Sequence, residues 1–258
     1  MKDLDQTNKV TVISGGSSGI GRQVAITFAA HGSDIAILDT DENGKKIASG
    51  IIKEYKRDAV FFNCDITDFS KVRESCDLIL EKFKKVDNLV LAAGYNSKSG
   101  IEKLPIEEWE KSIDVNVNGM FYIVKCLIEQ MLSQKKANIV IIGSATVYTG
   151  SGGGIHYSTS KVAQYGFLKG LSYELLSRGI RTNMITPHII DTPMLRKRYP
   201  DTAEVNAMLA ERTPIGRIGS PSDIANIALF LSSEESGYIC GSEIVADGGA
   251  IYYLNPKK

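Results

Sequence analysis

Tyr157 and Lys161, in the run Tyr157-Ser158-Thr159-Ser160-Lys161, are the two residues of this chain whose types and spacing best suit proton transfer. Residues four apart on a helix share a face, so a phenol would stand beside an ammonium. A free phenol titrates near pH ~10 and is a poor base at neutral pH, but a nearby cation favours the phenolate. Lowering its pKa by about three units takes roughly 4 kcal/mol, feasible for a lysine acting together with a bound cationic group. Such pairs also arise on solvated helices, so the pair gains meaning only from its company.

That company begins near the start of the chain. A β-branched run leads into Ser14-Gly15-Gly16-Ser17-Ser18-Gly19-Ile20-Gly21, and a helical pattern follows. Glycines let the backbone turn tightly and approach a pyrophosphate, and the helix N-terminus offers free N–H groups. The expected cofactor contacts here are Gly15, Ser17, Ser18, Gly19 and Ile20. Asp39 ends the second apolar run, eighteen residues after Gly21. A carboxylate there can accept both adenosine ribose hydroxyls and repel a 2′-phosphate, favouring NAD; the alternative is a turn aspartate in Asp39-Thr40-Asp41. Arg22 could attract a phosphate, but its helical position points it outward. Asp65 could accept the adenine amino group or cap the helix starting near Asp68. Ala92-Ala93-Gly94 would let a cofactor pass close to the backbone.

These residues need a scaffold, and the pattern supplies one. Expected strands are Val10–Ser14, Ile35–Asp39, Val60–Cys64, Asn88–Ala92, Ala137–Gly143, Ile180–Thr186 and Glu243–Ala246, alternating with helical stretches. Apolar strands alternating with helices predict an α/β, Rossmann-type doubly wound parallel sheet of about seven strands, its ligand site at the strand C-termini. One domain over 1–258 is expected, with a small helical substrate lobe at about 192–213 after the sixth strand. The chain has 258 residues, 43% hydrophobic, with thirty basic against thirty acidic side chains. That balance argues against nucleic acid or an anionic membrane surface as partner. Cys64, Cys76, Cys126 and Cys240 form no C-x-x-C, His31, His156 and His188 are scattered, and no metal site is expected. The polar opening MKDLDQTNK and the lack of a bilayer-long apolar run lead to the expectation of a cytoplasmic protein with reduced thiols.

Over nearly its whole length the chain resembles the short-chain dehydrogenase/reductase family. The family's T-G-x-x-x-G-x-G corresponds to Ser14 through Gly21, with Ser in place of Thr. The family's serine about a dozen residues before the tyrosine corresponds to Ser144, its helical asparagine to Asn116, and its D-G-G tail to Asp247-Gly248-Gly249. The resemblance implies that Tyr157 is the general acid/base. Lys161 would lower its pKa and hold the nicotinamide ribose, Ser144 would bind the substrate oxygen, and Asn116 would hold a water relaying protons from Lys161 to solvent. The bland counterparts are a turn hydroxyl for Ser144 and a helix-kink residue for Asn116. The resemblance also implies cofactor contacts from Ile66, Pro187, Ile190 and Thr192, a small-molecule substrate, and a homo-oligomer, either dimer or tetramer.

Three departures matter. N-N-A-G is Leu91-Ala92-Ala93-Gly94 here, which removes a structural hydrogen bond. P-G is Pro187-His188, which puts the loop conformation in question and an imidazole near the pocket, facing either substrate or solvent. Ser18 stands where NADPH-dependent 3-oxoacyl carrier-protein reductases usually carry a basic residue. Arg196-Lys197-Arg198 is either a solvated face or a site for an anionic substrate. The expected activity is hydride transfer between NAD and a secondary alcohol or ketone. The alternatives are an NADPH-dependent 3-oxoacyl carrier-protein reductase and a catalytically silent NAD-sensing regulator.

Overall fold

A computed structural model describes residues 4–97 and 99–252. Seven strands form one parallel sheet: β1 (Val10–Ser14), β2 (Asp34–Asp39), β3 (Ala59–Asn63), β4 (Asn88–Leu91), β5 (Ala137–Ile142), β6 (Ile180–Pro187) and β7 (Glu243–Ala246). Their order across the sheet is β3-β2-β1-β4-β5-β6-β7. The chain winds outward from β1 to β3, then returns to lay β4 against the other side of β1. A cleft opens at that reversal, above the C-terminal ends of β1 and β4.

The expected doubly wound α/β sheet is therefore present, with every strand within a residue or so of its expected place. Val60–Cys64, Asn88–Ala92 and Ala137–Gly143 were each expected one residue too far at the C-terminal end. The reason is common to all three. Cys64, Ala92 and Gly143 each keep one backbone bond to the neighbouring strand, then turn out of the sheet to line the cleft.

Ten α-helices are described. α1 (Gly19–Ala30), α2 (Asn43–Tyr55) and α10 (Pro221–Leu231) cover one face through Val24, Phe28, Ile51, Ile224 and Leu229. α3 (Phe69–Phe83), α5 (Gly119–Ser133) and α7 (Ile155–Leu175) cover the other through Val72, Ile79, Ile123, Leu127 and Leu168. With both faces covered, the strands are apolar continuously rather than alternately. Start signals are explicit at α3 and α10. Asp68 accepts from the Ser70 and Lys71 amides at α3, and Ser220 and Asp223 form a reciprocal capping box at α10. α4 (Ile106–Ile113) runs into α5 through a single π-helical turn, Asp114–Asn118. Past β5 lies the one-turn α6 (Thr146–Thr149), and past β6 lie α8 (Pro193–Arg196) and α9 (Ala203–Ala210).

Two glycines decide whether β1 can deliver α1 to the cleft. Gly15 has φ +74°, and a Cβ there would stand 2.7 Å from Ala93 Cα. Gly21, inside α1, has no room either: its Cβ would meet the Gly15 carbonyl oxygen at 2.2 Å. Gly21→Ala should therefore push α1 off the turn at a cost of about 1–3 kcal/mol. In a chain this long that is roughly 2–4 °C of Tm per kcal/mol, readable by calorimetry, and unchanged stability would show that the helix yields freely.

Candidate active site

Two adjoining cavities occupy the cleft. The first, about 710 Å³, is bounded by the glycine turn and the ends of β2, β3 and β4. Of the residues expected to hold a cofactor, Gly15, Ser18, Gly19, Ile20, Asp39, Asp65, Ile66, Ala92, Ala93, Gly94 and Thr192 line it. Ser17 does not: it lies buried beneath the turn, its amide donating to Asp39 Oδ2 at 3.0 Å. The other Asp39 oxygen accepts the Asp41 amide at 3.0 Å. The carboxylate thus shapes its own turn, as the turn reading expects, and also faces the cavity. Asp65 is not the cap of α3; that is Asp68. Asp65 instead accepts from the Thr67 amide and hydroxyl, which hold its carboxyl below the usual range. Arg22 is exposed and outside the lining, as expected.

A dinucleotide fits these residues. Ser18 makes no side-chain cap on α1, whose first turn carries no acidic residue, so the dipole end and its N–H groups face the cavity unopposed. The volume lies within the usual range for cofactor sites.

The second cavity, about 500 Å³, shares Ile20, Ala92, Gly94, Thr192 and Met194 with the first. Ser144, Tyr157, Lys161, Pro187 and Ile190 stand on its wall. Tyr157 is half-buried; burial pushes its phenol up, while the Ser144 hydroxyl pulls the other way. The Lys161 ammonium is 5.6 Å from the Tyr157 ring centroid and is almost wholly buried. It donates to the Ile142 carbonyl and to Gln164 Oε1, both at 3.0 Å. Burial lowers its pKa from 10.5 to about 8. The spacing thus brings phenol and ammonium to one wall, as expected, with burial the largest influence on the phenol.

Asn116 lies apart from both cavity walls. It sits in the π turn, fully buried, its side chain bonded to Tyr95 N (2.7 Å), Tyr95 O (2.9 Å), Ser160 (2.8 Å) and Ser112 (3.3 Å). The kink reading of this residue is thus visible in the backbone. π turns are rare and concentrate at functional sites.

Past β6, His188 does not have a left-handed φ, so the glycine of the family pattern is not needed for backbone shape here. The ring lines the second cavity, and its buried Nδ1 has no partner among the described residues. Desolvation keeps the imidazole below its ordinary pKa. The basic run divides by role. Arg196 braces the lobe against Asp191 (2.7 Å) and Asn206 (2.8 Å), Lys197 is exposed, and Arg198 lines the cavity while donating to Gly152 O at 3.0 Å. Sequence reading missed Arg212 and Asn96, also on this wall, and Gln164 beneath it. Gln164 alone left a signal, lying one turn beyond Lys161 on the same helix. Among the described residues no His, Cys, Asp and Glu side chains cluster as a metal site, and no helix is long and apolar enough to cross a membrane.

The sheet reversal, glycine turn and cleft define a dinucleotide-binding α/β enzyme. The family model described as Enoyl-(Acyl carrier protein) reductase matches residues 15–250, and the chain belongs to the short-chain dehydrogenase/reductase family of nicotinamide-dependent oxidoreductases. It is 32% identical to the 3-oxoacyl-[acyl-carrier-protein] reductase of Thermotoga maritima over 94% of this chain and 98% of that one. The enzyme of the same name from Chlamydia muridarum is 34% identical over 94% and 97%. Among solved structures, ligand-free aldohexose dehydrogenase from Thermoplasma acidophilum superposes with TM-score 0.89 at 30% identity, covering 99% of both chains.

The buried lysine has a consequence for stability. Folded Lys161 binds its proton more weakly than unfolded lysine, so the folded state gains stability as pH rises from about 8 towards 10.5. Against Lys161→Met, the wild-type unfolding free energy should improve by about 2 kcal/mol between pH 8 and 9.5 in urea titrations. A difference independent of pH would place the ammonium in water.

Proposed function

We propose that the chain interconverts a ketone and its secondary alcohol, with Tyr157 as general acid/base. The observation that carries this reading is the presence of Tyr157, Lys161 and Ser144 on one cavity wall that continues into a dinucleotide-sized cleft. A bound nicotinamide supplies or accepts the hydride. In reduction, Tyr157 donates its hydroxyl proton to the carbonyl oxygen, which the Ser144 hydroxyl orients. In oxidation the phenolate takes that proton back. Lys161 favours the phenolate electrostatically. The retained set of acid/base groups opposes the silent-sensor reading.

On substrate, the curated relatives named as 3-oxoacyl-[acyl-carrier-protein] reductases favour a 3-oxoacyl group over an unspecified secondary alcohol. Among the described residues the cavity lining carries Lys161, His188, Arg198 and Arg212 and no carboxylate, so hydrogen-bond donors and no repelling anion face the neutral 3-oxo and thioester oxygens of such a substrate. For the cofactor, Asp39 supports NAD, because a ribose 2′-phosphate would be set against its carboxylate. A cytoplasmic homo-oligomer belongs to the same reading. Exposed Leu78 on α3 and Phe121 on α5 offer apolar area for self-association.

Tyr157→Phe removes only the ionisable oxygen, so cofactor affinity should persist while kcat falls ~10²–10⁴-fold. The assay follows reduced-nicotinamide absorbance with a 3-oxoacyl thioester and with simple ketones; near-normal kcat would assign the chemistry elsewhere. The same assay run with NADH and NADPH tests Asp39. Wild type should prefer NADH by about tenfold or more, and Asp39→Ala should narrow the gap. A wild-type preference for NADPH overturns the NAD assignment and leaves the carrier-protein reductase reading standing in full.

A further inference from the structure

Gln164 is 2% exposed, lies one turn beyond Lys161 on α7, and carries no role in the chemistry described so far. Both ends of its amide are engaged. Oε1 accepts from Lys161 Nζ at 3.0 Å, and Nε2 donates to the Asn116 backbone carbonyl at 2.7 Å. The amide therefore spans the gap between the lysine and the π turn, a place where one water could otherwise bridge the two. A water can accept one proton and release another. An amide cannot do so without becoming its high-energy imidic acid, so Gln164 holds a geometry and does not relay.

We propose that Gln164 is a positioning residue for the acid/base pair, fixing the Lys161 ammonium and favouring its charged form. This inference rests on the proposed roles of Tyr157 and Lys161. The Gln164 and Ile142 oxygens take up two of the ammonium's three donors, and its remaining approach is from the cavity that Tyr157 also lines. Among the described residues no carboxylate shares that cavity. Its other titratable groups are Tyr157 on α7, His188 after β6, Arg198 and Tyr199 beyond α8 and Arg212 beyond α9. The acidic groups of α4 and the π turn, Glu107, Glu110 and Asp114, line the other cavity, with Lys111 among them. Neutral oxygens at hydrogen-bond distance are thus the groups that favour the charged amine, and Gln164 supplies one of the two.

Two near-isosteric variants test this with opposite signs. The readout is the alkaline limb of kcat/KM for ketone reduction, where activity fades as the Tyr157–Lys161 pair loses its proton. In Gln164→Glu a carboxylate beside the ammonium holds that proton more tightly, so the limb should move up by about one pH unit or more. In Gln164→Leu the ammonium loses an acceptor, and the limb should move down. A purely structural glutamine would lower rates in both variants without moving either limb. NADH binding measured on each variant confirms that the cleft is intact; if the leucine variant does not fold, the upward shift in Gln164→Glu decides alone. Limbs that coincide with wild type, in an enzyme inactivated by Tyr157→Phe, overturn the role of Gln164 only. Full activity in Tyr157→Phe overturns the reading beneath it.

Discussion

The buried side chain of Asn116 is the constraint on which the rest of the site hangs. A carboxamide in an apolar interior must satisfy its donors and acceptor locally or bear a penalty of a few kcal/mol. Here it does so by bonding both main-chain groups of Tyr95 and two serines, one on α4 and one on α7. The loop after β4 and α7 are thereby tied to one point. The π turn is what turns Asn116 inward to make those bonds. Its backbone carbonyl then meets Gln164, so the same residue that fixes the loop fixes the support of Lys161.

Burial is the second theme of the site. A lysine without a carboxylate partner is costly to enclose, and the structure meets that cost with neutral oxygens alone. The result is an ammonium that releases its proton more readily than lysine in water, standing beside a phenol that holds its own more tightly. This is a common division of labour, in which the protein prepares positions and the bound groups complete the electrostatics.

The sheet was legible because its strands are buried on both faces and so read as unbroken apolar runs. Their ends were blurred because Cys64, Ala92 and Gly143 are as apolar in the cleft as in the ladder. The wall residues were legible where a backbone requirement singles out a residue type, as at Gly15, or where spacing on a helix is diagnostic, as for Tyr157 and Lys161. Ser17 was misplaced because a serine inside a glycine turn gives no sign of which side it faces. Arg212 and Asn96 reach the cavity from segments distant in the chain, and no local pattern marks them. The capping alternative for Asp65 stays open on paper because two aspartates three residues apart are equally good caps. Only the path of the chain out of β3 chooses between them.

Asp39 joins two properties that a protein engineer would wish to vary separately. Its Oδ2 accepts the Ser17 amide and so holds the glycine turn in place, while the carboxylate as a whole faces the cleft. Replacing it with a small apolar side chain would alter the electrostatics of the cleft and loosen the loop in the same stroke. A redesign that exchanges one dinucleotide for another must therefore install a neutral acceptor within reach of Ser17, such as an asparagine, before adding any cation. Treated as an isolated selectivity switch, position 39 would return variants that discriminate differently and bind everything less well.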